Sequence, residues 1–106
     1  MDHDRTLFLR IDTPDKYQAR KKEITIVPSC PASGDGYQAY PASFTVSELM
    51  RALESADGGG GTYYVSVERI SYGFILSPHL TLGSVYDTYA KEDSVVLRVT
   101  PEIFSG

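Results

Sequence analysis

Thr45-Val46-Ser47-Glu48-Leu49-Met50-Arg51-Ala52-Leu53 decides the fold class of this 106-residue chain. Val46, Leu49, Met50 and Leu53 fall at i, i+3, i+4 and i+7, one apolar stripe along an amphipathic helix. Thr45 and Glu48 stand three apart, as a capping box requires, and Ser43 is the alternative cap. Gly58 supplies a stop, and Gly58 to Gly61 a flexible connection. Upstream the period changes. Leu7, Leu9 and Ile11 alternate with Phe8 and Arg10, the repeat of a strand with one buried face. Asp12-Thr13-Pro14-Asp15 reads as a turn. Ile24-Thr25-Ile26-Val27 is a second strand, β-branched throughout and stopped by Pro28. These two strands predict a hairpin, with Asp15 to Lys22 as its polar, partly basic connection. Downstream, Tyr63 to Ile70 reads as a third strand and Tyr72-Gly73-Phe74-Ile75 as a short fourth. Leu82, Val85, Tyr86 and Tyr89 repeat the helical spacing and predict a short second helix. Ser94 to Thr100 is the last strand, ended by Pro101.

Residues 28–42, punctuated by Pro28, Pro31, Gly34, Gly36 and Pro41, read as a loop insertion. Tyr37 and Tyr40 within it are suited to dock on the domain or meet a partner. Residues 101–106 read as an extended C-terminal tail. The chain, 1–106, is then a single α+β domain. Its elements are a mixed sheet of four to five strands, one main helix packed on it, and a short second helix. Strand, strand, helix and return to the sheet is the order of the ubiquitin-like β-grasp roll. In that roll the first and last strands lie side by side at the sheet centre.

A hydrophobic fraction of 42% and a charged fraction of 23% exclude a chain disordered throughout. Ten Lys plus Arg against fourteen Asp plus Glu give a net charge of −4, which argues against a dedicated nucleic-acid binder. The single Cys30 makes no internal disulfide, and the N-terminal Met1-Asp2-His3-Asp4-Arg5 is no secretory signal; both fit the cytoplasm. No apolar run approaches the ~18 residues needed to span a bilayer.

Little in the chain suggests catalysis. His3, His79 and Cys30 lack ligand-type spacing, so no metal is expected. Cys30 has no base near it in sequence. Gly58 to Gly61 has neither the strand before it nor the Lys after it that a phosphate loop requires. No cofactor is expected, and the chain reads as a substrate or binding module, not an enzyme. Two features remain. Arg20-Lys21-Lys22, with Lys16 nearby, is the basic cluster, suited to an acidic partner or anionic headgroups. Pro101-Glu102-Ile103-Phe104-Ser105-Gly106 is an extended tail ending in glycine. Without a Cβ, Gly106 leaves its carboxylate open to close approach by ATP and then by a thiol. Those are the demands of adenylation, thioester transfer and amide formation.

Several short motifs add to this. Phe74-Ile75-Leu76-Ser77-Pro78 looks like a Phe-x-x-small-Pro segment. Gly83-Ser84-Val85-Tyr86 looks like a Gly followed by an apolar residue and Tyr. Val96-Leu97 matches a last-strand apolar pair, and Gly106 a terminal glycine. From Phe74 to Gly106, without a gap, the chain resembles the autophagy-related protein twelve family of ubiquitin-like modifiers. Asp12-Thr13-Pro14 and Lys21-Lys22 extend the likeness. That family usually has Ala-Trp before the glycine, where this chain has Phe104-Ser105.

The resemblance implies a sequence of partners. An E1-like enzyme, autophagy protein seven, would activate Gly106. An E2-like enzyme, protein ten, would pass it to a lysine of protein five. With protein sixteen, the conjugate would act as an E3-like factor. It would promote transfer of the modifier protein eight from protein three to phosphatidylethanolamine. Lys21 and Lys22 would meet an acidic segment of protein three. Phe104 would guide the tail or pack on the conjugation partner, and Phe74 would belong to the working surface. The protein would be cytoplasmic and would reach forming autophagosomal membranes only through that complex. Two alternatives stand beside it. Leu97-Arg98-Val99-Thr100-Pro101 resembles a stretch of the ubiquitin-fold modifier family, and a ubiquitin-like interaction domain needs no conjugation at all.

Overall fold

β1 (Thr6–Asp12) and β2 (Lys22–Val27) pair as the expected antiparallel hairpin, Leu9 opposite Ile26 and Arg10 opposite Thr25. They belong to a computed structural model that describes residues 5–14, 16, 17, 21–32, 34, 36–56, 63–68, 70 and 75–101. β3 (Tyr37–Pro41), α1 (Val46–Ala56), β4 (Tyr63–Val67), α2 (Leu82–Tyr89) and β5 (Val95–Pro101) follow. The strands form one sheet in the order β3-β1-β2-β5-β4, and every neighbouring pair is antiparallel. Alternate residues of the sheet, among them Leu7, Leu9, Ile24, Ile26, Leu97 and Val99, are buried in one core with Leu49, Leu82 and Val85 of the helices. The fold is α+β with one main and one short helix, a grasp-like arrangement.

The sheet corrects the sequence reading in two respects. It is wholly antiparallel, not mixed, and the first and last strands are not side by side. β2 stands between β1 and β5, pairing with both. Because it is antiparallel to each, β1 and β5 run in the same direction. Take β2 away and the order β3-β1-β5-β4 is that of the roll. Ile24 and Ile26, both fully buried, are the core-facing residues of this central strand.

A further correction concerns residues 28–42, read as a loop. Tyr37–Pro41 is a strand, paired with β1 from Thr6↔Pro41 to Arg10↔Tyr37. Gly34 and Gly36, at φ 62° and 81°, turn the chain into it. As an edge strand it is mostly exposed, so no alternation betrays it. Tyr40 docks on the domain, its ring 5.5 Å from that of Phe44. The third strand is shorter than expected. It ends at Val67, whose carbonyl accepts from the Ile70 N–H in a turn. Of the short fourth strand, Tyr72, Gly73 and Phe74 lie outside the described residues, as does the Gly58 to Gly61 connection. Ile75 is exposed and in no strand, and the Leu76 N–H donates to the Val65 carbonyl at 2.8 Å.

The helices form as their local chemistry dictates. The Thr45 hydroxyl accepts from the Glu48 N–H, and the Glu48 carboxylate accepts from the Thr45 N–H, both at 3.1 Å. This is the capping box, with Thr45 and not Ser43 as the cap. Thr81 caps α2 through the Ser84 N–H at 3.1 Å. The remaining N–H groups of both first turns are satisfied reciprocally. Val46 and Ser47 donate to the carbonyls of Leu80 and Pro78, and Leu82 and Gly83 to those of Phe44 and Ala42. The segments 42–47 and 78–83 thus stitch the two helix starts together. Val46, Leu49 and Leu53 are buried and Met50 is half-buried, so the stripe is core.

Candidate partner-binding site

Ladder pairing in the β1–β2 hairpin ends at Asp12↔Glu23, and the chain from Thr13 to Lys21 closes it. With Lys22, the first residue of β2, this connection holds Lys16, Arg20, Lys21 and Lys22 against Asp15 alone. Four cations and one carboxylate leave +3 here in a chain of net −4, so the remainder carries −7. Asp15 and Arg20 lie outside the described residues. Lys21 is exposed; Lys22 is half-buried and reaches the Thr13 hydroxyl at 3.5 Å. The Lys16 ammonium sits 5.4 Å from the centre of the Tyr17 ring, and Tyr17 is 86% exposed.

Two carboxylates, Asp12 and Glu23, stand at the base of the connection, and Asp12 is engaged. Arg10 Nε donates to Asp12 at 3.0 Å, and that hydrogen bond, reinforced by the charge of Asp12, raises the Arg10 pKa above its ordinary value. Arg10 also lies 5.3 Å from the centre of the Tyr37 ring. The result is a concentrated positive patch with an exposed aromatic ring beside it. Its chemistry suits a segment carrying several carboxylates. The contact is electrostatic, screened over about 8 Å at physiological salt, and gives rate and orientation more than affinity.

Of the residues singled out from sequence, the structure brings Lys21 and Lys22 to this patch. Phe74, Phe104 and Gly106 lie outside the described residues. His79 and Cys30 are both exposed, and among the described residues no group of three His, Cys, Asp or Glu is placed to hold a metal. Tyr17 was not singled out, although an aromatic set among basic residues was visible in the sequence. Gly83 has a packing role. A Cβ there would stand 2.8 Å from Arg5 Nη2 and 3.1 Å from the Ala42 Cβ. Arg5 is drawn to that point by its bond to the Gly83 carbonyl at 3.1 Å and by a two-pronged pair with Asp87. Among the described residues no helix is long and apolar enough to cross a membrane.

Compared with family models, with curated proteins and with solved structures, the chain matches none.

Proposed function

We propose that this chain is a ubiquitin-like modifier of the autophagy-related protein twelve type, a protein that works by being bound and attached to others. The observation that supports this reading is the basic β1–β2 connection, with Lys21, Lys22 and exposed Tyr17, carried on a grasp-like sheet. Lys21 and Lys22 meet an acidic partner segment, that of the E2-like protein three in the autophagy pathway. Gly106 is the acyl donor. Its carboxylate takes AMP from ATP with loss of pyrophosphate. A thiol of the E1-like protein seven then displaces AMP. The acyl group moves by thioester exchange to protein ten, and a lysine amine of protein five displaces that thiol. Phe104 guides the tail and Phe74 contributes to the working surface. The conjugate, with protein sixteen, acts as an E3-like factor and brings the cytoplasmic chain to autophagosomal membranes.

One observation favours a second reading, a ubiquitin-like interaction domain that is never conjugated. β2 separates β1 from β5, a departure from the roll of the modifiers. Conjugation in cell extract with ATP distinguishes the two. The full chain is expected to give a reduction-resistant band larger by one partner, and the chain lacking Gly106 none. No band from the full chain, in an extract that conjugates a control modifier, overturns the modifier reading and leaves the non-covalent module.

A further inference from the structure

The ladder between β2 and β5 brings the basic connection and the end of the last strand to one place. Lys22 pairs with Val99, and β5 runs on to Pro101, which pairs with Tyr63 of β4. Neighbouring strands lie about 5 Å apart and each residue adds about 3.3 Å, so the Pro101 Cα stands roughly 8 Å from that of Lys22. Lys21, one residue back from Lys22, is nearer to its level. Residue 102, bonded to Pro101, therefore starts beside the connection. β1 ends on this side of the sheet, at Asp12, and β4 begins there, with Tyr64 40% exposed opposite Thr100.

The charges of the two segments that meet here do not cancel. Arg10 is paired with Asp12 at 3.0 Å. Arg98 stands opposite Glu23 in the ladder and reaches Glu68, beyond the far end of β4, at 3.7 Å. Neither arginine neutralises a carboxylate of the connection or the tail. Lys16, Arg20, Lys21 and Lys22 thus outnumber Asp15 and Glu102, the acidic residues of the connection and of the tail. Lys16 and Lys21 are exposed, and so is Tyr17 beside Lys16. The excess positive charge faces outward at the root of the tail.

We infer that the basic connection also recruits the enzyme that activates the tail, and that this enzyme carries carboxylates on the rim of the crevice that admits residues 102–106. The inference rests on the reading of Gly106 as acyl donor and names the surface that serves it. Five residues reach at most about 18 Å from Pro101 when fully extended. The body of such an enzyme therefore comes against the end of the sheet where the connection lies. Carboxylates on its rim then fall within the roughly 8 Å over which the lysines act at physiological salt. The gain lies in encounter rate and in the orientation of the tail. The same lysines take the acidic segment proposed above, so one partner holds them at a time. An acidic segment bound early blocks loading, and its place is on the finished conjugate.

Loading is measured on the full chain in cell extract with ATP, as the initial rate at which a thiol-sensitive adduct forms. Lys16→Glu/Lys21→Glu changes two exposed residues outside the strands. It is expected to slow loading about tenfold at 50 mM salt and less than about twofold at 300 mM, as electrostatic steering requires. Lys21→Glu alone should slow it about threefold at 50 mM salt. Lys91→Glu makes the same charge change in the turn before β5, at the opposite end of the sheet, and should leave the rate unchanged. Thermal unfolding of each variant confirms that it folds. Loading of Lys16→Glu/Lys21→Glu at the parent's rate overturns the inference and leaves Gly106 as donor. So does a slowing that persists at 300 mM salt, or an equal slowing by Lys91→Glu. No adduct from the parent, in an extract that loads a control modifier, overturns the modifier reading and this inference with it.

Discussion

Gly83 shows how one missing methyl group fixes the relation of a strand end to a helix. Its Cα lies against Ala42 and the Arg5 guanidinium, where a Cβ would be 3.1 Å from the Ala42 Cβ and 3.3 Å from its carbonyl. Arg5 can swing aside, but Ala42 is fully buried and tied to both Arg5 and Gly83 by backbone bonds. Gly83→Ala gains about 1 kcal/mol of helix propensity and loses more in crowding, for a net destabilisation of about 1–2 kcal/mol. Thermal unfolding should show a midpoint lower by roughly 5 °C or more. Tyr86, on the same helix, has its hydroxyl pKa raised, first by burial and then by the Asp93 carboxylate, with Arg5 opposing. A raised folded value favours the neutral phenol. The associated stability is fully present below the unfolded value of about 10 and is lost as pH climbs through the folded one. Subtracting the alkaline phenolate absorbance titration of Tyr86→Phe from that of the parent should isolate a transition above that ordinary value.

The elements were legible to the degree that their signals are local. The main helix could be read because its stripe, Val46 to Leu53, and its capping box both lie within nine residues. Thr45→Ala removes the hydroxyl that accepts from the Glu48 N–H and should cost about 1 kcal/mol, measured by denaturant unfolding. Ser43→Ala should cost little, since Thr45 occupies the cap. β3 escaped notice for the opposite reason. Tyr37-Gln38-Ala39-Tyr40-Pro41 owes its conformation to β1, some thirty residues earlier in the chain, and its exposed faces carry no period. The limits of β4 were equally obscure, because the turn that ends it at Val67 is made by backbone bonds.

At the scale of the whole molecule, charge is distributed so that a chain of net −4 presents a +3 connection at one end of its sheet. Binding there to an acidic peptide should weaken steeply between 50 and 300 mM salt. Lys21→Glu/Lys22→Glu should remove most of that salt dependence along with the binding, as fluorescence anisotropy would report. A steep salt dependence surviving in the double variant would place the contact elsewhere. The basic cluster was legible because its residues are consecutive. Its place beside the root of the tail was not, because Lys22 meets Val99 only in the folded sheet. The sheet order was hidden too. Nothing in Ile24-Thr25-Ile26-Val27 says which strand lies on its far side.

The position of β5 also bears on how the protein comes into being. It is the last of these five strands to leave the ribosome, yet it pairs with both β2 and β4, and β4 pairs with no other of the described strands. During synthesis the β1–β2 hairpin has only β3 to join it, and the buried faces of Ile24 and Ile26 await the arrival of Val95, Leu97 and Val99. The nascent chain therefore carries an uncovered half-sheet until β5 emerges, and chaperones have their opportunity to act on it in that interval.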